Sequence, residues 1–440
     1  MWFRRDLRLS DNPALALAAR DDDVLGVFVL DPTLVRPSGA PRLAVLYRTL
    51  RTLDERLGGR LVIRHGKPQN VIPALAKEHG AESVHCAYDY GPYGHERDQA
   101  VADELGDVPL VRTGSAYAVD PGEIAKADHE PYQVYTPFYR AWLDHGWDTP
   151  HRAPKVTWAK ADSDEIPGDP RLPAGLELPA VGEEAAHRAW RSFVESGLDG
   201  YAHDRDRPDL DATSRMSVHL KWGTVHPRTL LADLRPSHET YRKELAWREF
   251  YADVLFHRPD SAREYYHPEL KKLPYATGST RSERLSAWQE GRTGYPIVDA
   301  GMRQLLGEGW MHNRVRMIVA SFLVKDLHVE WTYGARHFLN HLIDGDLASN
   351  NHGWQWVAGS GTDAAPYFRV FNPILQGKKF DPSGEYVKRW VPELSHLPGK
   401  IVHEPWSDPH GAPADYPEPI VDHFAERDAA LAGYQKARGR

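Results

Sequence analysis

The apolar positions of the first third of the chain come in short, solid runs separated by stretches of helical period. Val24-Leu25-Gly26-Val27-Phe28-Val29-Leu30 is continuous enough for a strand buried on both faces, and residues 40–57 follow with apolar side chains at helical spacing. Leu61-Val62-Ile63 reads as the next strand, residues 71–79 as a helix and Ser83-Val84-His85-Cys86-Ala87 as another strand, with Trp2-Phe3 a clipped first strand. Strand and helix in alternation predict an open, parallel, Rossmann-like sheet over residues 1–128. Prolines then recur (Pro150, Pro154, Pro167, Pro170, Pro173, Pro179) among Asp, Gly and Glu, which predicts an extended linker over 129–190. Beyond Glu183 the period is helical, most clearly over 241–256, 294–306, 312–328 and 333–342. The expected architecture is therefore an α/β N-terminal domain followed by an all-α C-terminal domain over 191–440.

Composition narrows the function classes. In 440 residues, 41% are hydrophobic and 26% charged, which suits a globular protein with ample core and excludes disorder and coiled coil. The longest apolar run, Val315 to Val324, is broken by Arg316 and Ser321 and falls short of the roughly 18 residues a membrane span needs. No membrane association is expected. The single cysteine, Cys86, excludes an intramolecular disulfide and a cysteine metal cluster, and Met1-Trp2-Phe3-Arg4-Arg5-Asp6 has no apolar leader behind it, so a cytoplasmic setting is expected. A net charge of −8 still leaves room for a local basic groove. Aromatic usage is the anomaly: Trp 14 exceeds Phe 12, and Tyr is 20, giving flat surfaces suited to bases or a planar cofactor.

Four segments concentrate polar chemistry. Thr213-Ser214-Arg215-Met216-Ser217 places three hydroxyls and a guanidinium ahead of an apolar stretch, as either a phosphate cradle or an ordinary helix cap. Glu244, Trp247 and Arg248 share one helical face, suited to a flat polar ligand or equally to a surface ion pair beside a packed indole. Asn313, Arg316 and Met317 share another face, opposite the stripe Val315, Ile318, Val319 and Phe322. Leu342-Ile343-Asp344-Gly345-Asp346-Leu347-Ala348-Ser349-Asn350-Asn351 gathers acids and amides before Trp354-Gln355-Trp356. A Mg²⁺ site there ranks below hydrogen bonding of Asp346 and Asn350 to a heteroaromatic ring, and no metal is expected.

These segments, with Trp2-Phe3-Arg4-Arg5-Asp6-Leu7-Arg8-Leu9, Glu244-Leu245-Ala246-Trp247-Arg248-Glu249-Phe250-Tyr251, Gly294-Tyr295-Pro296-Ile297-Val298-Asp299 and Trp310-Met311-His312-Asn313-Arg314, resemble the photolyase/cryptochrome family in its order along nearly the whole chain. Within it the chain looks like a class I cyclobutane pyrimidine dimer photolyase. The resemblance implies a light-dependent DNA-repair lyase with an antenna domain and a helical domain holding FAD, reduced in the active state. FAD contacts carry over to Tyr201, Thr213, Ser214, Arg215, Met216, Ser217, Tyr241, Arg248, Arg316, Asp344, Gly345, Asp346 and Asn350, with Asp344 paired to Arg316 and Asn350 near the flavin N5. The lesion pocket carries over to Glu244, Trp247, Asn313, Met317 and Trp356, with Arg205, Arg314, Arg369 and Gln376 near the DNA backbone. Glu244 would hydrogen-bond the dimer, and Trp354 and Trp331 match the inner two indoles of a three-tryptophan photoreduction chain.

Three departures follow from that likeness. Between Leu273 and Trp288, where the outer indole is expected, Tyr275 is the sole aromatic residue. Tyr241 stands where relatives carry Trp. His95-Glu96 replaces the Asn-Glu of folate-binding members, while Tyr88-Asp89-Tyr90-Gly91-Pro92-Tyr93-Gly94-His95-Glu96-Arg97 resembles deazaflavin users, so 8-hydroxy-5-deazaflavin is the expected antenna and an empty site the alternative. The expected partner is UV-damaged DNA, bound by a monomer at the bacterial nucleoid. A cryptochrome-type signalling flavoprotein is the alternative, and a (6-4) photolyase ranks lower because positions 313 and 317 hold Asn and Met, not His.

Overall fold

Strands β1 (Trp2–Phe3), β2 (Val27–Leu30), β3 (Val62–His65), β4 (Val84–Cys86) and β5 (Leu110–Arg112) are all parallel, in a computed structural model that describes residues 1–20, 23–363 and 369–439. β1, β2 and β3 form one ladder, with Trp2 opposite Val27 and Phe28 opposite Ile63; β4 and β5 form a second. The expected single sheet is thus divided, because β1 has only two residues in strand geometry and both pair with β2. β4 nevertheless packs beside β1, which keeps the strand order β3-β2-β1-β4-β5 and makes the β1/β4 junction the point where the winding reverses.

The solid apolar runs have a direct reason. Phe3, Phe28, Leu30 and Ile63 face Leu46, Leu50 and Leu53 of helix Ala40–Arg56, while Trp2, Val27, Val29 and Val62 face Ile72, Leu75, Val101 and Leu105 of helices Pro68–Glu78 and Pro92–Leu105. Each strand is covered on both sides, so alternation disappears.

The proline-rich stretch differs from expectation. Helix Tyr135–His145 lies inside it, since Tyr135, Phe138, Tyr139 and Trp142 recur at helical spacing and are buried against Phe250 and its neighbours. Helix Glu183–Ser196 begins before its end, and 146–182 has no helix or regular strand. Even that part is pinned: Val24 N–H donates to Thr157 O at 2.9 Å and Ala159 N–H to Val24 O at 3.0 Å, bridging the run to the sheet.

The second half packs helices Pro296–Glu308, Trp331–His341 and Leu347–Ala358 around Asn313–Ser321, whose Val315, Ile318 and Val319 are buried at its centre. The helix expected over 312–328 widens into a π-helical turn at Phe322–Asp326 and ends at His328, at φ 51°.

Helix Glu239–His257 joins the two halves. Its buried Glu249 accepts from Ala118 N at 2.6 Å, Val119 N at 3.1 Å and Trp142 Nε1 at 2.6 Å, and one turn on Asp253 accepts from Gly122 N at 2.8 Å. The Arg4–Leu9 segment docks on the other side, Leu7 N–H donating to Trp222 O at 3.2 Å and Arg8 to Gly223 O at 3.1 Å. Gly223 has φ +65°, and a Cβ there would lie 1.8 Å from Arg5 O.

Glu249→Ala would orphan three buried donors, so it is expected to lower the unfolding free energy by about 3 kcal/mol or more, at roughly 1 kcal/mol or more for each stranded donor. Urea unfolding of variant and parent checks this; an unchanged midpoint would show that the seam does not depend on this carboxylate.

Candidate functional site

The loop between helices Trp331–His341 and Leu347–Ala358 withdraws two carboxylates from water. Asp344 Oδ2 accepts from Arg316 NH2 at 2.8 Å and from Ser217 Oγ at 2.7 Å, while its Oδ1 is buried with no partner. Asp346 caps helix Leu347–Ala358 by accepting from Ser349 N at 3.1 Å, and its other oxygen accepts from Arg5 NH2 at 2.6 Å. Burial pushes the Asp346 carboxyl up, but Arg5, Lys221 and Arg248 hold it well below the usual carboxylate range. It is a fixed anion.

Cations exceed acids around this loop. Burial, with repulsion from Arg5 and Arg42, pushes the Lys221 ammonium down to about 7, although Asp346 draws it up. Arg42 lies against Gly345, where a Cβ would sit 3.1 Å from its NH1, and burial lowers its pKa as well. Such crowding needs an anion to relieve it, and a diphosphate supplies one. The unpartnered Asp344 Oδ1 needs a donor, which a ribose hydroxyl or a heteroaromatic N–H supplies. The residues present therefore fit FAD.

Other expected contacts border the same loop. Asn350 Nδ2 lies 3.1 Å from Ala335 O and 2.8 Å from Asn351 Oδ1, which fixes the plane of its amide. Ser214 Oγ lies 2.8 Å from Tyr241 Oη, so the phenol standing where relatives have Trp is anchored by a hydroxyl; Tyr201 packs edge-on against it at 5.0 Å. Met216 is buried, Ser217 exposed and Thr213 half-buried. Two arginines point elsewhere. Arg215 turns to Glu308 at 3.1 Å and lies 4.3 Å over the Trp310 ring, and Arg248 caps Ala116 O at 2.8 Å and Leu220 O at 3.3 Å beside the Tyr117 ring.

A second wall carries alternating charge. Glu244 Oε1 accepts from Arg205 NH1 at 2.6 Å; Arg205 Nε is 4.0 Å from Asp206, which accepts from Arg314 NH2 at 2.9 Å; and Arg314 NH1 lies 3.8 Å from Met317 Sδ. Burial raises the Glu244 pKa above the usual range against the pull of Arg205, and Asp206 adds to the rise. Trp247 stacks face to face on Tyr135, 3.7 Å between centroids at 8°, so one face of the indole is already covered. Trp356 Nε1 donates to Asp363 O at 3.1 Å. Asn313 and Arg369 are exposed and Gln376 half-buried, outside the hydrogen-bonded chain from Glu244 to Met317.

Trp354 and Trp331 sit deeper, both buried. The Trp354 indole lies on Gly334, where a Cβ would come within 2.2 Å of Cη2, and Trp331 is one turn earlier on the same helix.

Arg5, Arg42, Lys221, Asp206 and Tyr135 were missing from the expected site. Arg5 carried a signal, standing in a basic pair directly after a strand, but nothing local names Asp346 as its partner.

Residues 1–156 match the family model described as DNA photolyase, and residues 241–436 the one described as FAD binding domain of DNA photolyase. The deoxyribodipyrimidine photo-lyase of Escherichia coli K12 is 40% identical over 100% of this chain and 98% of its own length. The crystal structure of a class III photolyase from Agrobacterium tumefaciens superposes with a TM-score of 0.91 at 37% identity, covering 100% of this chain and 97% of that one. A Sulfolobus tokodaii photolyase, whose structure is described as holding two FAD molecules, superposes with a TM-score of 0.84 at 29% identity over 99% of both chains. The chain belongs to the DNA photolyase family.

Arg5→Ala would strand Asp346 among the buried residues. The expected loss of stability at neutral pH is about 2 kcal/mol, below the roughly 3–5 kcal/mol of a fully buried broken pair because Arg5 is partly solvated. Since Asp346 has a depressed pKa in the fold, its pairing stabilises above its unfolded value of about 4 and fades as pH falls below that. Denaturation at stepped pH should show the parent's advantage over the variant shrinking in acid; a pH-independent gap would mean that Asp346 does not carry it.

Proposed function

We propose that this chain is a light-driven lyase that splits cyclobutane pyrimidine dimers in UV-damaged DNA. The observation that carries this reading is the presence of two unlike clusters: a cation-rich one around Asp344 and Asp346, and the half-exposed chain Glu244–Arg205–Asp206–Arg314–Met317, joined through the helix that carries both Arg314 and Arg316. Asp344, Asp346, Asn350 and the surrounding cations would hold FAD, which would supply one-electron photochemistry when bound and reduced.

The protein's own residues do the rest. A dimer inside a duplex cannot reach a site walled by helices, so the lesion is turned out of the stack, at a cost already lowered by its weak pairing; base flipping of this kind is general among photolyases. Arg205, Arg314, Arg369 and Gln376 hold backbone phosphates and give salt-sensitive affinity. The free face of Trp247, with Trp356, Asn313 and Met317, receives the bases. Glu244, its pKa raised by burial, hydrogen-bonds a carbonyl of the dimer when it carries its proton and steadies the charge that develops there. Asp344 keeps Arg316 in place without leaving a lone buried charge. Trp354 and Trp331 carry electrons inward when the flavin is oxidised.

A separate cleft is the candidate place for a second chromophore. Arg4, Arg5, Ala87, Tyr88, Asp89, Tyr90, Ala116 and Tyr117 line it beyond the carboxyl ends of β1 and β4, where the winding reverses, and Tyr88 and Tyr90 stack there at 5.6 Å. We assign it to a planar antenna of the 8-hydroxy-5-deazaflavin type. The protein acts as a monomer in the cytoplasm, at the nucleoid when bound to DNA.

Blue light on the reduced, FAD-loaded protein with a thymine-dimer oligonucleotide should restore thymine absorbance; turnover of a (6-4) lesion in its place would reassign the enzyme. Glu244→Ala should lower repair by about tenfold or more, the worth of about one hydrogen bond of 1.4 kcal/mol. Glu244→Gln keeps a donor that does not titrate. The parent's repair rate should therefore fall as pH rises through the Glu244 pKa while the Gln variant stays flat; parallel profiles would remove the carboxyl's role as donor.

A further inference from the structure

The outer indole of the photoreduction path is missing from the sequence, yet the path does not stop at Trp331. We propose that Tyr265, with Glu330 as its proton acceptor, is the outer electron donor of this protein, an inference that rests on reading Trp354 and Trp331 as the inner conduit.

The indole of Trp331 is 1% exposed, and its Nε1–H is buried without an acceptor. An oxidised Trp331 therefore has nowhere nearby to shed its proton, and the vacancy stays mobile until a better donor fills it. Tyr265 is in ring contact with it: edge-on, 5.8 Å between centroids at 76°. Tyr265 is itself 3% exposed, and its hydroxyl lies 3.0 Å from Glu330 Oε1 and 2.9 Å from Tyr275 Oη. Burial, reinforced by Tyr275 and Glu330, raises the phenol far above its ordinary range, so the resting side chain keeps its proton. A phenol gives up an electron readily only when its proton has a destination, and among these three aromatic rings Tyr265 alone has a carboxylate in reach. Tyr275, half-buried, extends the hydrogen-bonded line toward solvent; burial pushes its own hydroxyl up to about 12.

The step balances. Tyr265 transfers one electron to the Trp331 cation radical, restoring the neutral indole, and its phenolic proton passes to Glu330 Oε1. A neutral tyrosyl radical and a protonated carboxyl remain. The Tyr275 hydroxyl passes one hydrogen atom to the Tyr265 oxygen, a soluble thiol restores it to the half-buried Tyr275 and leaves as a thiyl radical, and Glu330 returns its proton to water. Glu330 directly precedes Trp331 on the chain, so acceptor and indole are fixed by the start of one helix.

The test uses FAD-loaded, oxidised protein under blue light with dithiothreitol. Flash absorption and electron paramagnetic resonance of the parent should show an indole cation giving way to a tyrosyl radical, more slowly in D₂O. Tyr265→Phe should abolish the tyrosyl signal and slow steady flavin reduction by about a hundredfold, the low end of what a positioned proton acceptor contributes to such a transfer. Glu330→Gln should give a similar loss with the phenol still in place. Repair by the Tyr265→Phe protein reduced beforehand with dithionite should match the parent, which separates the proposed role from a folding defect. If Tyr265→Phe is photoreduced at the parent's rate while Trp331→Phe is not, the proposal is overturned and the conduit stands. If Trp331→Phe also keeps the parent's rate, the conduit reading itself fails. An identical radical decay in H₂O and D₂O with no tyrosyl signal overturns the proposal without any variant.

Discussion

Two ion pairs set the arrangement of this molecule. Asp344 and Asp346 are separated by one glycine, and each is removed from water at a cost that only a fixed cation offsets. Arg316 meets the first from the central helix of the C-terminal half, and Arg5 meets the second from the end of the first strand. Because the two cations come from different halves of the protein, satisfying both carboxylates places the sheet, the central helix and the acidic loop in one relation. The surplus of positive charge left over, on Lys221, Arg42 and Arg248, is unfavourable for the protein alone. It becomes favourable when an anionic cofactor fills the pocket, so stability and cofactor affinity are drawn from the same charges.

The N-terminal segment accordingly acts as a keystone. In the stretch following β1, Arg4 turns toward Asp98 and Ala87 O within the sheet layer, Arg5 crosses to Asp346, and Arg8 reaches the carbonyls of Asp11 and Gly223. The three arginines thus tie one short segment to three different parts of the protein. The positive φ of Gly223 lets the two backbones touch, and Leu7 ties them with a main-chain bond.

What could be read from the sequence follows from range. The strands and long helices were legible because burial on both faces, or on one stripe, writes a local pattern, and the faces holding Glu244 with Trp247 and Asn313 with Met317 were legible for the same reason. The pairing of Arg5 with Asp346 spans 341 positions and leaves no local trace. Lys221 sits in a helix with nothing in its neighbours to mark it as crowded. Asp206 looks like one charge among many until Arg205 and Arg314 are seen on either side of it. Tyr135 and its helix were hidden for a different reason: prolines on the C-terminal side suggested an open linker, while the apolar spacing of Tyr135, Phe138, Tyr139 and Trp142 was already helical.

Company, more than burial alone, decides what each carboxylate does. Glu244 and Asp346 are both withdrawn from water, which by itself raises either pKa. Glu244 has Arg205 as its nearest cation, and that arginine also lies beside Asp206, so burial prevails and its pKa is raised. Asp346 has Arg5, Lys221 and Arg248 around it, so the cations prevail and the group stays charged where a permanent anion caps a helix and anchors the seam. Glu330 occupies a third kind of setting, half-exposed and bonded to a phenol. One backbone thus gives the same functional group three environments, because helix packing delivers a different number of cations and a different depth of water to each.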